Sequence, residues 1–100
     1  MKIILLALSL GISQSLFAAV CTQNSNTLTL VGQDSTGNLF AGVTDHGGEC
    51  SCDFFRFKEV NTDTKKALDI LLRAKINYKK VRIDIKDAND CNSGHQLYIH

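Results

Sequence analysis

Across residues 64–77 the apolar side chains Ala67, Leu68, Ile70, Leu71, Leu72, Ala74 and Ile76 recur at helical spacing. Lys65, Lys66, Asp69, Arg73 and Asn77 fall three or four apart among them and make a narrow polar stripe. Asn61, Thr62 or Asp63 can accept the unpaired amides of the first turn, so the start of this helix is well marked. Directly after it, Val81, Ile83 and Ile85 alternate with Arg82, Asp84 and Lys86, the pattern of a half-buried strand. The apolar arc of the helix is wider than the ~100° that packing on one sheet uses. It predicts either a small domain that spends every helix face on its own core, or a second contact with a curled sheet or another subunit.

The same period-two reading predicts strands over residues 27–33, 39–44, 50–58, 80–86 and 96–100. Asp34-Ser35-Thr36-Gly37-Asn38 is turn chemistry between the first two, since Gly37 and Asn38 tolerate positive φ. Residues 21–26 read as a polar lead-in, and residues 45–49 and 87–94 as polar loops. Phe54, Phe55 and Phe57 put most of the aromatic mass on the third strand. The chain is thus mainly β with one α-helix, in the order β-β-β-α-β-β, which is the element order of an OB-fold-like small barrel. A flat α+β sandwich competes with it. Gly42 inside the second strand favours the barrel, because curled sheets place glycine where they bend.

Residues 1–18 read as a signal peptide: Lys2, an apolar run from Ile3 to Ile12, then small residues up to Ala18 and Ala19. The run is shorter than the ~20 residues a membrane span needs. Val20 before Cys21 is too bulky for lipoprotein processing, so no stable membrane anchor is expected. Residues 19–100 then form one domain, periplasmic or secreted. Without Lys2 it carries ten Lys and Arg against ten Asp and Glu. That balance offers no clustered basic face for nucleic acid.

A domain this small buries a limited core, and exported domains of its size usually add disulfides. Cys21, Cys50, Cys52 and Cys91 meet that expectation. If residues 50–58 are a strand, Cys50 and Cys52 point to the same side about 6.5 Å apart, which is poor geometry for bonding each other. Cys21 and Cys91 must then take one each, and both ways of doing so stay open. A zinc site of Cys50, Cys52 and Cys91 with His46 or His95 is the sharper alternative. Its CxC spacing is not the usual knuckle, so no metal and no cofactor is expected. His46, His95 and His100 read as solvent-exposed, Gly47-Gly48 lacks the helix and lysine of a phosphate loop, and nothing marks a nucleophile with its base. No catalytic residue is assigned, and the chain reads as no enzyme. Loop polar residues Asp34, Ser35, Asn38, Asp45, Asn89 and Asn92, with the rings of Tyr78 and Tyr98, are the sugar-binding groups on offer.

Lys66-Ala67-Leu68-Asp69, Ala74, Val81-Arg82-Ile83 and a cysteine at 50 or 52 resemble the B subunits of pentameric bacterial toxins. The resemblance is nearest to the subtilase cytotoxin and typhoid toxin group, and looser to the heat-labile enterotoxin B subunit. It covers roughly residues 39–85, and the segment that follows the fourth strand in those subunits has no counterpart here. It implies an OB-fold, five-fold assembly and binding of a cell-surface glycan, with no ligand-contacting residue assigned. The expected function is an exported, non-enzymatic ligand-binding module, the ligand a glycan. The alternative is a disulfide-stapled periplasmic module that binds a protein partner. Gln96 to His100 contains neither Lys nor Pro to blunt a strand edge. With the over-apolar helix and the family's habit, it predicts a homo-oligomeric ring.

Overall fold

The computed structural model describes residues 19–99; the expected signal peptide and His100 lie outside the described residues. Five strands and one helix follow in the expected order: β1 (Cys21–Gln33), β2 (Leu39–Thr44), β3 (Phe54–Phe57), α1 (Thr64–Ile76), β4 (Val81–Ile85) and β5 (Gly94–Ile99). The sheet closes on itself as β1-β2-β3-β5-β4, with β4 returning to β1. All pairings are antiparallel except β3 with β5. This is the closed, single-helix arrangement of an OB-fold-like small barrel.

Closure rests on β1 serving two neighbours. Its first half pairs with β4, from Cys21↔Ile85 to Asn26↔Val81, and its second half with β2, from Thr27↔Thr44 to Gln33↔Leu39. The strand therefore starts six residues earlier than the alternation of Leu28 and Leu30 suggests. The inward residues of that first half are Gln23 and Asn26, both fully buried, so hydropathy does not reveal it. Bulges fall between Gln23 and Asn26 and between Leu28 and Leu30, and bulges bend a strand and increase its twist. Gly42 sits opposite the second bulge, where a Cβ would stand 2.9 Å from Leu30 Cγ. The seam between β3 and β5 is the single pair Phe57↔Gly94. A side chain at Gly94 would meet the Phe57 ring at 2.6 Å, so glycine is what lets the two strands approach.

β3 is shorter than the expected strand over residues 50–58. Ser51 has φ +57°, which no strand contains, and Asp45 and Gly48 are also left-handed, so residues 45–53 form a loop. Cys50 and Cys52 lie in this loop and not on one face of a strand. Phe55 and Phe57, fully buried beside Leu39, Ile83 and Leu71, fill the interior. Each is worth about 1.5–3 kcal/mol of burial.

Asp63 is the N-cap, its Oδ1 accepting from the Lys65 and Lys66 amides at 3.1 and 3.2 Å. The helix buries Thr64, Ala67, Leu71 and Ala74 and keeps Leu68 partly buried against the core. Leu72 and Ile76 remain 42% and 72% exposed, so the helix does not spend every face on its own core.

Candidate functional site

The four cysteines gather the start of β1, the loop of residues 45–53 and the loop of residues 86–93. Cys21 bonds Cys50 and Cys52 bonds Cys91, each with Cα atoms 5.9 Å apart. No described sulfur is left free for the Cys–His cluster that competed with this pairing. Two buried amide side chains of β1 complete the backbone bonding. Gln23 Nε2 donates to the Cys52 carbonyl at 2.8 Å, and the Cys52 amide donates to Gln23 Oε1 at 3.1 Å. The side chain thus pairs with Cys52 as a neighbouring strand's peptide would. Asn26 Nδ2 donates to the carbonyls of Gln23 and Val81 at 2.8 and 2.9 Å, bridging the first bulge. Buried polar groups are tolerated when satisfied in this way.

The histidines differ from their expected exposure. His46 is half-buried, its Nε2 2.7 Å from Asp53 Oδ1 and its Nδ1 accepting from the Gly48 amide at 3.1 Å. His95 is also half-buried. Nearby, Glu49 accepts from the amide and side chain of Asn24 at 3.2 and 3.0 Å. Its carboxyl is held below the ordinary value by its own backbone N–H first and by Asn24 next. The polar loop residues are engaged likewise. Asp34 Oδ1 accepts from the Thr36 hydroxyl at 2.6 Å and from the Thr36 and Asn38 amides, and these bonds, the hydroxyl first, lower its pKa. Asn89 and Asn92 close turns on Asp87 and Asp90. These loops stabilise themselves.

Open chemistry lies along α1. Between the start of α1 and the end of β5 runs a groove of about 230 Å³. Ala67, Ile70 and Leu97 give it an apolar floor, and Thr62, Asp63, Lys66, Gln96 and Tyr98 supply polar groups around them. The Tyr98 ring is 45% exposed yet held: its hydroxyl donates to Gln96 Oε1 at 3.0 Å, and the Arg82 guanidinium lies 5.3 Å from its centroid. Arg82 is itself placed by the buried Asp84, 3.5 Å away. Asp63 caps the helix through Oδ1, which leaves Oδ2 for an incoming donor.

A second hollow, of about 170 Å³, lies where α1 ends. Thr27, Leu28 and Ala74 meet Lys75, Tyr78, Lys79 and Lys80 there. The helix stops in a Schellman turn: the Lys79 amide donates to the Ala74 carbonyl at 2.8 Å and the Tyr78 amide to Lys75 at 3.3 Å. The position of that turn that favours glycine holds Tyr78, at φ +56°. A left-handed conformation costs an L-residue about 1–2 kcal/mol. Its side chain is 95% exposed, so little packing offsets that cost. Both hollows are smaller than the ~300–1,000 Å³ of ordinary small-molecule pockets, a size for one ring or one charged group of a larger ligand.

Tyr78 and Tyr98 were the rings that the sequence singled out, and they fall in different hollows at the two ends of one helix. Thr62, Asp63, Lys66 and Gln96 carried no sequence signal as site residues, because the groove joins positions some thirty apart. Among the described residues no helix is long and apolar enough to cross a membrane, and no group of three metal-binding side chains converges. No family model, curated protein or solved structure matches the chain.

Proposed function

We propose that the protein is an exported, non-enzymatic ligand-binding module, periplasmic or secreted, whose ligand class is glycan. The observation that carries this reading is the groove between α1 and β5: an exposed, braced Tyr98 ring beside Gln96, Asp63 and Thr62 over an apolar floor. A sugar ring offers an apolar C–H face and a rim of hydroxyls. An aromatic ring takes the first and fixed amide, hydroxyl and carboxylate groups take the second. The two cystines fit a non-reducing, exported environment. The resemblance of residues 39–85 to toxin B subunits favours the same ligand class. A glycan array probed with wild type and Tyr98→Ala tests it. The reading expects a defined set of glycans bound by wild type and lost in the variant. Equal signals from both proteins, or no glycan bound, would contradict it.

A protein-binding role is the second reading, with a further copy of the chain as the partner. It is favoured by Leu72 and Ile76, one turn apart and exposed on α1, and by Ile99, 41% exposed near the end of β5. Beyond Gly94, β5 has no strand partner on its β3 side among the described residues. Light scattering on the oxidised protein decides whether such edges close a ring. A monomer at tens of micromolar excludes it.

A further inference from the structure

We infer that the hollow at the C-terminal end of α1 is a binding site for a tetrahedral oxyanion, a phosphate monoester or sulfate ester, held by Lys75, Lys79, Lys80 and the Tyr78 hydroxyl. Two independent observations carry this. The first is Tyr78, which occupies the left-handed position of the Schellman turn with its ring in solvent. Glycine would close the same turn without strain, and the fold gains little from the ring. Residues kept in costly conformations mark functional sites when packing does not explain them.

The second observation is charge. The domain as a whole is balanced, yet three lysines and no carboxylate line this hollow. The helix dipole accounts for Lys75, which lies in the last turn, but its effect fades within that turn. Lys79 and Lys80 lie beyond the helix. The carbonyls of Arg73, Ala74 and Lys75 are already occupied by the amides of Asn77, Lys79 and Tyr78, so the ammonium groups are not needed as caps.

The donor set selects the shape of the anion. A planar carboxylate is matched by the flat fork of arginine, and no arginine lines the hollow. Ammonium groups are compact point charges that can approach a tetrahedral group from several sides, and lysine is a common phosphate ligand for that reason. Leu28 and Ala74 give the floor an apolar patch for the carbon skeleton bearing the ester. This site is independent of the groove at Tyr98 and stands or falls without it.

Amide shifts of the ¹⁵N-labelled, disulfide-intact protein test the assignment at constant ionic strength. The probes are inorganic phosphate, glucose 6-phosphate, glucose, and vesicles of phosphatidic acid or phosphatidylcholine. Saturable shifts confined to Thr27 and residues 74–80 are expected with phosphate and glucose 6-phosphate, and none with glucose. Lys79→Gln with Lys80→Gln should weaken binding about tenfold or more, the loss expected for charge-assisted hydrogen bonds. Tyr78→Gly should raise the melting midpoint by a few degrees while weakening binding, a combination that a purely structural tyrosine would not give. Glucose 6-phosphate binding without vesicle binding assigns a phosphorylated saccharide. Binding to phosphatidic acid vesicles alone assigns a lipid headgroup carrying the same chemistry. Shifts spread over all lysines and abolished by matched chloride would overturn the site. So would a Tyr78→Gly protein that binds as wild type does.

Discussion

The cystine end of the barrel and the surface around α1 use side chains in opposite ways. At the cystine end, Gln23 is fully buried and spends its amide on both backbone groups of Cys52, and the buried Asn26, opposite Val81 at the far end of β4, spends its own on the carbonyls of Gln23 and Val81. At the helix end, Tyr98, Tyr78, Leu72 and Ile76 are exposed, and one of them sits in a backbone conformation that costs stability. The first arrangement stabilises a fold whose seam between β3 and β5 is a single residue pair. The second leaves rings and charges accessible around the helix. A small domain that closes its sheet with two cystines and a satisfied amide network can carry such exposed groups at the far end.

The largest effect expected is at the join of helix and sheet. Leu71→Asp places an unpaired charge at a fully buried site and should abolish folding, read as loss of dispersed NMR signals. If this protein remains folded, α1 does not cap the core as described. Next comes the cystine end. Cys21→Ser with Cys50→Ser opens a bridge of sequence separation 29 and should cost about 3–4 kcal/mol in urea denaturation. Gln23→Leu leaves both backbone groups of Cys52 without their partner and should cost about 2–4 kcal/mol.

At the helix end the expected stability changes are small. Tyr78→Gly should gain up to about 1 kcal/mol, the relief of strain being partly offset by the freer unfolded chain. Arg73→Ala removes an exposed i,i+4 pair with Asp69 at 3.0 Å and should change stability by at most about 0.5 kcal/mol. If Gln23→Leu and Arg73→Ala melt alike, the contrast between the two ends is void.

Smallest of all is the pH dependence. Asp34 and Glu49 have carboxyl pKa values lowered from 3.8 and 4.5. A depressed carboxyl stabilises the fold fully above its unfolded value, and that stability is lost as pH falls through the folded value. The melting midpoint should therefore be insensitive to these two groups near neutrality and decline below those ordinary values. Asp34→Asn with Glu49→Gln should flatten part of that decline.

The element order was legible because α1, β2 and β4 each bury a periodic apolar set, and Asp63 lies one residue before the first helical position. The partition of Cys50 and Cys52 into different bridges followed from a strand that is not there. The left-handed Ser51 sends the two side chains apart in a loop instead. The first half of β1 was illegible since its inward residues are amides, and their partners lie 29 and 55 positions away. The left-handed Tyr78 was illegible for a related reason: only the structure shows a residue type standing where propensity forbids it.

The central claim is that ligand recognition belongs to the helix end and not to the cystine end. Amide shift mapping with the glycans selected on the array tests it most directly. The account predicts saturable shifts at Thr62, Asp63, Lys66, Ile70 and at Gln96 to Tyr98, with residues 45–53 and 86–93 unmoved. Shifts concentrated in those two cystine-bridged loops, with the α1–β5 groove silent, would contradict it.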